Sequence, residues 1–550
     1  MRFGILCGAG PLLRWQADCL AHLLAVPGVG AAVRFVWPGQ DESVRGSRLF
    51  RRLNPPAGAQ EPLEWPAQLR ALPIVHLQSA AGGGPMRVSL DAIPGARLDF
   101  ILSLSAQPVP DELIALPSHG VWVLCAGDWE RYRGPACGFW EVYDNSDLSG
   151  AVLARLTTQS DTVIPLRRGW LRTRKDSYAL NRDQLLTRCT HWPAQVCREI
   201  LHGHAECLSA APLRSHVAFQ PPPTSLEMLL FASRSPVRLL GGLLSALTRS
   251  DHWNVGIVDQ PITDFIHSPH NRPRVRWLPQ RRSGEFVADP FGLVRDGKRY
   301  IFCEFLDYRD GVGRIAAVEL SQARTLVPVQ IGPQPPVHLS YPALIENEGR
   351  LLCIPESQAA SEVALYELER FPDRWTRVAT LISGAHIVDA TVFRHDGRWW
   401  LAGAADGPEA TFGSDLHLWY APAISGPWTA HAANPVKTDV GSARPAGPLF
   451  EVDGVLYRPA QDSSQTYGAR VIINRILTLT PDCFREEPVA SVEPDPGSAY
   501  PDGLHTLCAM GDKTLVDGKR LAFSRWEFRR IIGRMLGRRV QRLARRLTGR

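Results

Sequence analysis

Two-residue turn signals recur through the second half of the chain. Asp296-Gly297, Glu348-Gly349, Asp396-Gly397 and Asp453-Gly454 each separate two hydrophobic runs, with glycines 52, 48 and 57 residues apart. An acidic residue followed by glycine supplies the positive φ angles that a tight β-hairpin needs. A fifth, weaker copy stands at Gly511-Asp512, 57 residues after the fourth. A period near fifty with several strands per unit implies a β-propeller. The expectation is five blades across residues 225–519; unrelated hairpins in a sandwich are the alternative.

Counting from the turn glycine converts this repeat into a site. Eight residues before it stand Asp289, Tyr341, Asp389 and Ala446, and seven after it stand Glu304, Glu356, Ala404 and Gln461. In an antiparallel hairpin, residues nearly equidistant from the turn share one end of the two strands. Both sets therefore gather at one mouth of the central channel, where Asp289, Glu304, Glu356 and Asp389 form a carboxylate-rich pocket. The alternative is that each serves as a turn or cap residue of its own blade.

The pattern resembles the five-bladed furanosidase-like propellers, including glycoside hydrolase family 43. Ala288-Asp289-Pro290 and Val388-Asp389-Ala390 match the first two acidic motifs of that family, while Ala446-Gly447-Pro448 carries alanine where the family has glutamate. Glycoside hydrolysis needs two carboxyl groups, one of them a proton donor, so the acid would have to be Glu356 or Asp462. A closer resemblance runs through His338-Leu-Ser-Tyr-Pro342, Ile354-Pro-Glu-Ser357, Arg444-x-x-Gly447, Leu456-Tyr-Arg-Pro-Ala-Gln-Asp462, Tyr467-Gly468, Gly503-Leu-His505 and Val516-Asp-Gly518. Together these are similar to the N-terminal propeller region of plant glucosamine inositolphosphorylceramide transferases, whose own glycosyltransferase domain has no counterpart here.

For a sugar or sugar phosphate, Arg444 and Arg458 are suited to phosphate or carboxylate, and Gln461, Asp462 and His505 to hydroxyls. Tyr341 and Tyr467 offer stacking faces. An ordinary set of interblade hydrogen bonds is the alternative role for all of these residues.

The first 210 residues have a different pattern. Residues 2–7, Val33–Val36 and Leu98–Leu104 read as strands, with helices at Leu12–Leu24, at Asp111–Leu116 and across 182–209. Such alternation indicates an α/β domain with a Rossmann-like parallel sheet. Gly8-x-Gly10 lacks the third glycine of a dinucleotide fingerprint, which leaves a plain tight turn or a nucleotide site. Segments 40–70 and 80–95, rich in Pro, Gly and Arg, read as surface loops, and 211–224 as a proline-stiffened linker.

Within this domain Arg131-Tyr-Arg-Gly-Pro135 resembles the central motif of formyltransferases that use a formyl-folate donor. In that family the preceding strand ends in Asn-x-His and an Asp follows. Here the matching positions are Val123 and Cys125, with Asp161 in the approximate place of the Asp and Arg133 kept in the loop. The resemblance implies a formyltransferase-type fold whose reacting residues are lost. Cys125 would be a thiolate only at raised pH, with no evident activating partner in sequence and His119 the nearest candidate.

Net charge is +6, yet residues 520–550 hold eleven Arg and one Glu, so the body is slightly acidic. Nucleic-acid binding by the body is therefore not implied. The tail reads as a basic amphipathic helix for an anionic membrane surface, with nucleic-acid contact or oligomer formation as alternatives. Eleven scattered cysteines without a C-x-x-C pair indicate reduced thiols. The opening Met1-Arg-Phe-Gly-Ile-Leu-Cys-Gly is too short for a signal segment. A cytoplasmic location is expected, with the tail as a route to the inner membrane face.

The functional expectation is a glycan-active or glycan-binding protein of cell-envelope polysaccharide or glycolipid biosynthesis. Its ligand would be a sugar, sugar nucleotide or lipid-linked glycan. Were it catalytic, as a glycosyl transferase or glycosidase-like enzyme, Asp289 and Asp389 are the first candidates and Glu356 the acid. Neither a metal nor a cofactor is expected. The alternatives are a non-catalytic carbohydrate-binding scaffold, or a formyltransferase that takes formyl-tetrahydrofolate and an amino-sugar nucleotide.

Overall fold

A computed structural model describes residues 1–37, 47–54, 58–77, 97–105, 107, 109–333, 336–407 and 410–535. The chain divides into two units, residues 1–236 and 237–550.

The first unit is built on one mixed sheet. From edge to edge its strands are Leu213–Arg214, Thr162–Arg172, Leu148–Leu156, Val121–Cys125, Phe100–Ser103, Arg2–Gly8, Gly30–Trp37 and Ile74–His76. The last five run parallel and the first three extend the sheet antiparallel. Chain order reverses between Arg2–Gly8 and Phe100–Ser103, a topological switch that opens a crevice beyond the carboxyl ends of the strands. Aromatic side chains from neighbouring strands stack through the core: Phe3 on Phe100 at 5.2 Å and Phe100 on Trp122 at 3.9 Å. Helices Arg14–Leu24 and Trp192–Leu201 bury Cys19, Leu20, Leu23, Val196 and Cys197 in the same core.

Some boundaries differ from the sequence reading. Within 40–70, short helices occupy Arg48–Leu53 and Ala67–Arg70, while 80–95 lies outside the described residues. After the proline run, Ser225–Thr248 is helical and the first propeller strand begins at Ser250. The propeller therefore starts some twenty-five residues later than expected, because a leucine-rich stretch with helical spacing precedes it.

The second unit contains five β-sheets around one axis. In chain order, blade I spans Glu285–Arg295 to Val327–Pro328, blade II Ser340–Asn347 to Arg374–Ser383, and blade III Ile387–His395 to Thr429–Ala430. Blade IV runs from Phe450–Val452 to Phe484–Val492 and gains His270–Asn271 as a parallel outer strand. Blade V is shared between the two ends of the unit. Its inner strand Leu507–Met510 pairs with Lys513–Ala522, which pairs with Ser250–Val258, and Arg276–Trp277 pairs with the far side of Ser250–Val258. That pairing closes the ring and removes the open edge that a linear sheet array would leave.

The turns follow the repeat. Asp296, Glu348, Asp396 and Asp453 have φ near +50° and the glycine after each has φ above +70°, as a type I′ hairpin requires. Strand Lys513–Ala522 carries Arg520 and Leu521 inside the propeller, so the tail begins beyond Ala522. Residues 525–535 are helical, and the rest of the expected basic tail lies outside the described residues. All eleven cysteines are free. Among the described residues no helix is long and apolar enough to cross a membrane.

Candidate functional site

The inner strands of blades I, II and III share one irregularity. Between Ala288 and Phe291, Ser340 and Ala343, and Val388 and Thr391, the strand gains one residue over its partner. This is a β-bulge, and it falls at the positions eight residues before the turn glycines. Asp289, Tyr341 and Asp389 take φ values of 51°, 44° and 53° there. A non-glycine residue in that region costs roughly 1–3 kcal/mol and persists only where its surroundings over-determine it. A bulge of this kind re-aims a side chain, and these three become the centre of a buried polar cluster.

Asp389 is gripped by Arg444, which donates through Nε and, at 3.3 Å, through a terminal nitrogen. Gln461 Nε2 donates to the same carboxylate at 2.6 Å and to the Pro445 carbonyl at 2.9 Å. Those two bonds fix the amide, and its Oε1 is buried without a hydrogen bond. Asp289 accepts from the Tyr341 backbone N–H at 3.2 Å and from Thr506 Oγ1 at 3.1 Å, with His505 Nε2 at 3.6 Å. The other ring nitrogen of His505 meets Asp517, which also accepts from the Asp289 N–H. His505 is thus held between two aspartates, with Trp253 stacked on it at 3.9 Å. Glu356 accepts from Ser340 Oγ at 2.9 Å and the Gln358 N–H at 3.1 Å. Glu304 lies 3.5 Å from His338 Nε2, a side chain at the rim.

Burial governs the electrostatics. It pushes the Glu356 carboxyl up to about 7, with Asp389 adding and Arg444 opposing. Burial also lifts Asp289 to about 6, against the pull of His505 and with the push of Asp389 and Asp517. Glu304 is held well above the usual carboxylate range by burial, then by Asp289, Glu356 and Asp389. For His505 burial disfavours the charged ring, but Asp517, followed by Asp289 and Asp389, brings the net effect upward. Several carboxyl groups buried together cannot all ionise, and here burial and the neighbouring carboxylates hold both glutamates above the usual carboxylate range.

The structure sorts the expected site residues. Asp289, Glu304, Glu356, Asp389, Arg444, Gln461 and His505 come together. Tyr467 joins them, its ring covered by Arg444 at 5.2 Å and edge-on to His505 at 5.4 Å. Tyr341 corrects the reading of a stacking face. It is wholly buried, and its hydroxyl bonds Thr391 at 2.9 Å and accepts from the Gly447 N–H at 2.6 Å, so it crosses the channel from blade II to blade IV.

Arg458 and Asp462 are corrected as well. Arg458 is buried against Glu486 and the carbonyls of Ser442 and Ala443, and Asp462 pairs with Arg470 at 2.8 Å. Side chains alternate along a strand, and both residues have the opposite parity to Gln461 on Val455–Asp462. Ala446 is buried with no acidic replacement at its position.

Asp517, Thr506, Trp253 and Lys519 were missed as site residues. Blade V has glycine first in its turn, so the count from Gly511 is one residue out of register. Counting from Asp512 instead places Lys519 seven residues on, in line with Glu304, Glu356, Ala404 and Gln461. Lys519 is fully buried, bonded to the Tyr467 carbonyl and 5.4 Å from the Trp253 ring.

In the first unit, Val123, Cys125 and Arg133 line a cavity, whereas Asp161 is not in its lining and pairs with Arg214 at 3.0 Å. Burial pushes the Cys125 thiol up to about 12, Arg133 only partly offsetting it, so a thiolate is not favoured there. Among Val123, Cys125 and Asp161 no group is placed to accept an amine proton and none to donate to an oxyanion, and these residues do not fit formyl transfer from a folate.

Residues 278–499 match a family model described as glucosamine inositolphosphorylceramide transferase 1, N-terminal. That stretch holds the whole cluster except Trp253, His505, Thr506, Asp517 and Lys519. Proteins named glucosamine inositolphosphorylceramide transferase 1 from rice (Oryza sativa subsp. japonica) and Arabidopsis thaliana are 36% and 33% identical over 211 and 206 residues. The matches cover 37% and 36% of this chain but only 28% and 27% of those proteins. Among solved structures, a thermostable family-43 glycoside hydrolase aligns over 38% of this chain and 78% of its own, at 13% identity and a TM-score of 0.29. Zg3597, a family 117 glycoside hydrolase from Zobellia galactanivorans, aligns over 51% and 92%, at 13% identity and a TM-score of 0.32.

Proposed function

We propose that the propeller mouth binds a sugar or sugar phosphate of a glycan or glycolipid, in the assembly of cell-envelope polysaccharide or glycolipid. The observation that carries this reading is the Asp389–Arg444–Gln461 group. An amide fixed by two bonds keeps a buried, unpartnered oxygen beside a carboxylate and a guanidinium. An unmade hydrogen bond on a buried acceptor costs about 1–3 kcal/mol, which a ligand hydroxyl at that oxygen would offset. Arg444, forked on Asp389, adds positive charge that suits a ligand phosphate or carboxylate. The matched relatives support the reading, since their name joins a glucosamine to an inositol phosphate.

For chemistry, Glu356 is the proton donor. A carboxyl group with a pKa of about 7 is matched to neutral conditions for protonating a leaving oxygen. Asp289 and Asp389 are the carboxylates that face developing positive charge. Thr506 and the Tyr341 N–H hold Asp289 in place, and Arg444 and Gln461 hold Asp389.

The test is a glycan microarray and a panel of sugar nucleotides with the full chain, its Asp389→Asn variant and its Asp289→Asn variant. Saturable binding of an amino-sugar or inositol-phosphate ligand that weakens at least tenfold in both variants is expected. Full binding and full turnover in both would sink the proposal. A second reading, a glycan-reading scaffold without turnover, is favoured by one observation, the alanine at position 446. Turnover of a sugar donor that Glu356→Gln abolishes while binding persists excludes the scaffold; binding without turnover in the unaltered protein selects it.

A further inference from the structure

The first unit holds a cavity of about 750 Å³ that the propeller reading does not use. It lies beyond the carboxyl ends of Phe100–Ser103 and Val121–Cys125, at the switch in strand order, where open α/β sheets take ligands. Its volume falls within the range of about 300–1,000 Å³ usual for small-molecule sites. Leu13, Leu104, Val123, Leu124, Leu156 and Leu186 are among its walls. Ser103, Gln16 and Thr157 add neutral polar groups, and Asp111 is an acidic lining residue.

One cation also faces this cavity, and its surroundings set the ligand's charge. Arg133 lies 5.4 Å from the Trp129 ring and 5.9 Å from the Phe219 ring, so two aromatic faces hold the guanidinium in place. Its backbone carbonyl accepts from the Gln220 N–H at 2.8 Å. The adjoining Gly134 allows that approach, because a Cβ there would stand 2.1 Å from the Gln220 carbonyl oxygen. Among the described residues no carboxylate pairs with Arg133. Two other partly exposed arginines of this unit do find one: Arg167 pairs with Glu199, and Arg174 with Asp176. A preorganised guanidinium without a counter-ion, in the lining of an apolar cavity, calls for an anion with a large apolar body.

We infer that this cavity binds a long-chain anion, its hydrocarbon between the leucines and its carboxylate or phosphate on Arg133. Such a ligand needs no proton acceptor or thiolate, which agrees with Val123 and the protonated Cys125 where reacting groups would otherwise stand. The site is independent of the propeller reading, and either stands without the other.

Titration of the full chain with cis-parinarate, followed by displacement with oleate, lysophosphatidate and oleyl alcohol, tests the inference. One saturable site is expected, with both anions displacing the probe at least tenfold better than the alcohol. The two anions distinguish a free fatty acid from a phosphate headgroup. Arg133→Met keeps the stem between the two rings, and it is expected to weaken the anions about tenfold and leave the alcohol unchanged. Val123→Trp, checked for an unaltered melting curve, is expected to weaken all three. Absence of a saturable site would overturn the inference. So would equal loss of anions and alcohol in Arg133→Met, or displacement of the probe by a folate analogue in preference to oleate.

Discussion

Glu356 and Arg444 show how individual residues respond when charge is enclosed. The Glu356 carboxyl is raised from 4.5 to about 7 in the folded protein, so between those values the native state binds the proton and the unfolded chain releases it. Its contribution is complete below pH 4.5 and is lost as pH rises through 7. At ~1.4 kcal/mol per pH unit, this is on the order of 3 kcal/mol. Glu356→Gln, which stays neutral, is expected to remove most of that decline, read from urea unfolding at intervals from pH 4.5 to 8. Arg444→Met leaves Asp389 buried with only Gln461 as its side-chain partner, and breaking one side of such a pair costs about 3–5 kcal/mol. A fall of that size in unfolding free energy at pH 7 is expected.

At the scale of the element, the hairpin and its bulge act separately. Gly397 has φ of +73° and open space where a Cβ would stand, so an alanine there meets only backbone strain. Gly397→Ala is expected to cost about 1 kcal/mol, measured by thermal melting, with no effect on ligand binding. Gly313 has an ordinary φ but no room: its Cβ would stand 2.4 Å from Glu304 Oε1 and 2.7 Å from the Leu339 carbonyl oxygen. Gly313→Ala is expected to move Glu304 and weaken glycan binding several-fold, read by titration calorimetry of the microarray ligand. The turn was legible because acidic-Gly pairs have a local conformational cause. The bulge was not, because an extra residue in a strand leaves no signature in composition, and only the matched offsets pointed to it.

For the whole molecule, closure of the ring is the decisive event. Lys513–Ala522 pairs with Ser250–Val258 over nine residues of each strand, across more than 250 residues of chain. A chain stopped after Asp512 would expose Ser250–Val258 as an apolar edge. It is expected to lose the cooperative melting transition of the propeller and to aggregate, read by scanning calorimetry and light scattering. The same closure brings Asp517, Thr506 and His505 against Asp289, so the cluster is incomplete until the ring shuts.

Local pattern determined the five-bladed architecture, the turn residues, and the shared register of Asp289, Glu304, Glu356 and Asp389. Each of these follows from short-range conformational preference or from strand periodicity. Tertiary structure alone decided that Tyr341 crosses the channel, that Arg458 belongs to Glu486, and that Asp517 and Lys519 join the site. Those outcomes depend on which strands and blades pack together, and for Asp517 and Lys519 on the pairing of the two ends of the propeller. They also depend on how burial redistributes protons among groups that sequence shows only as separate charges.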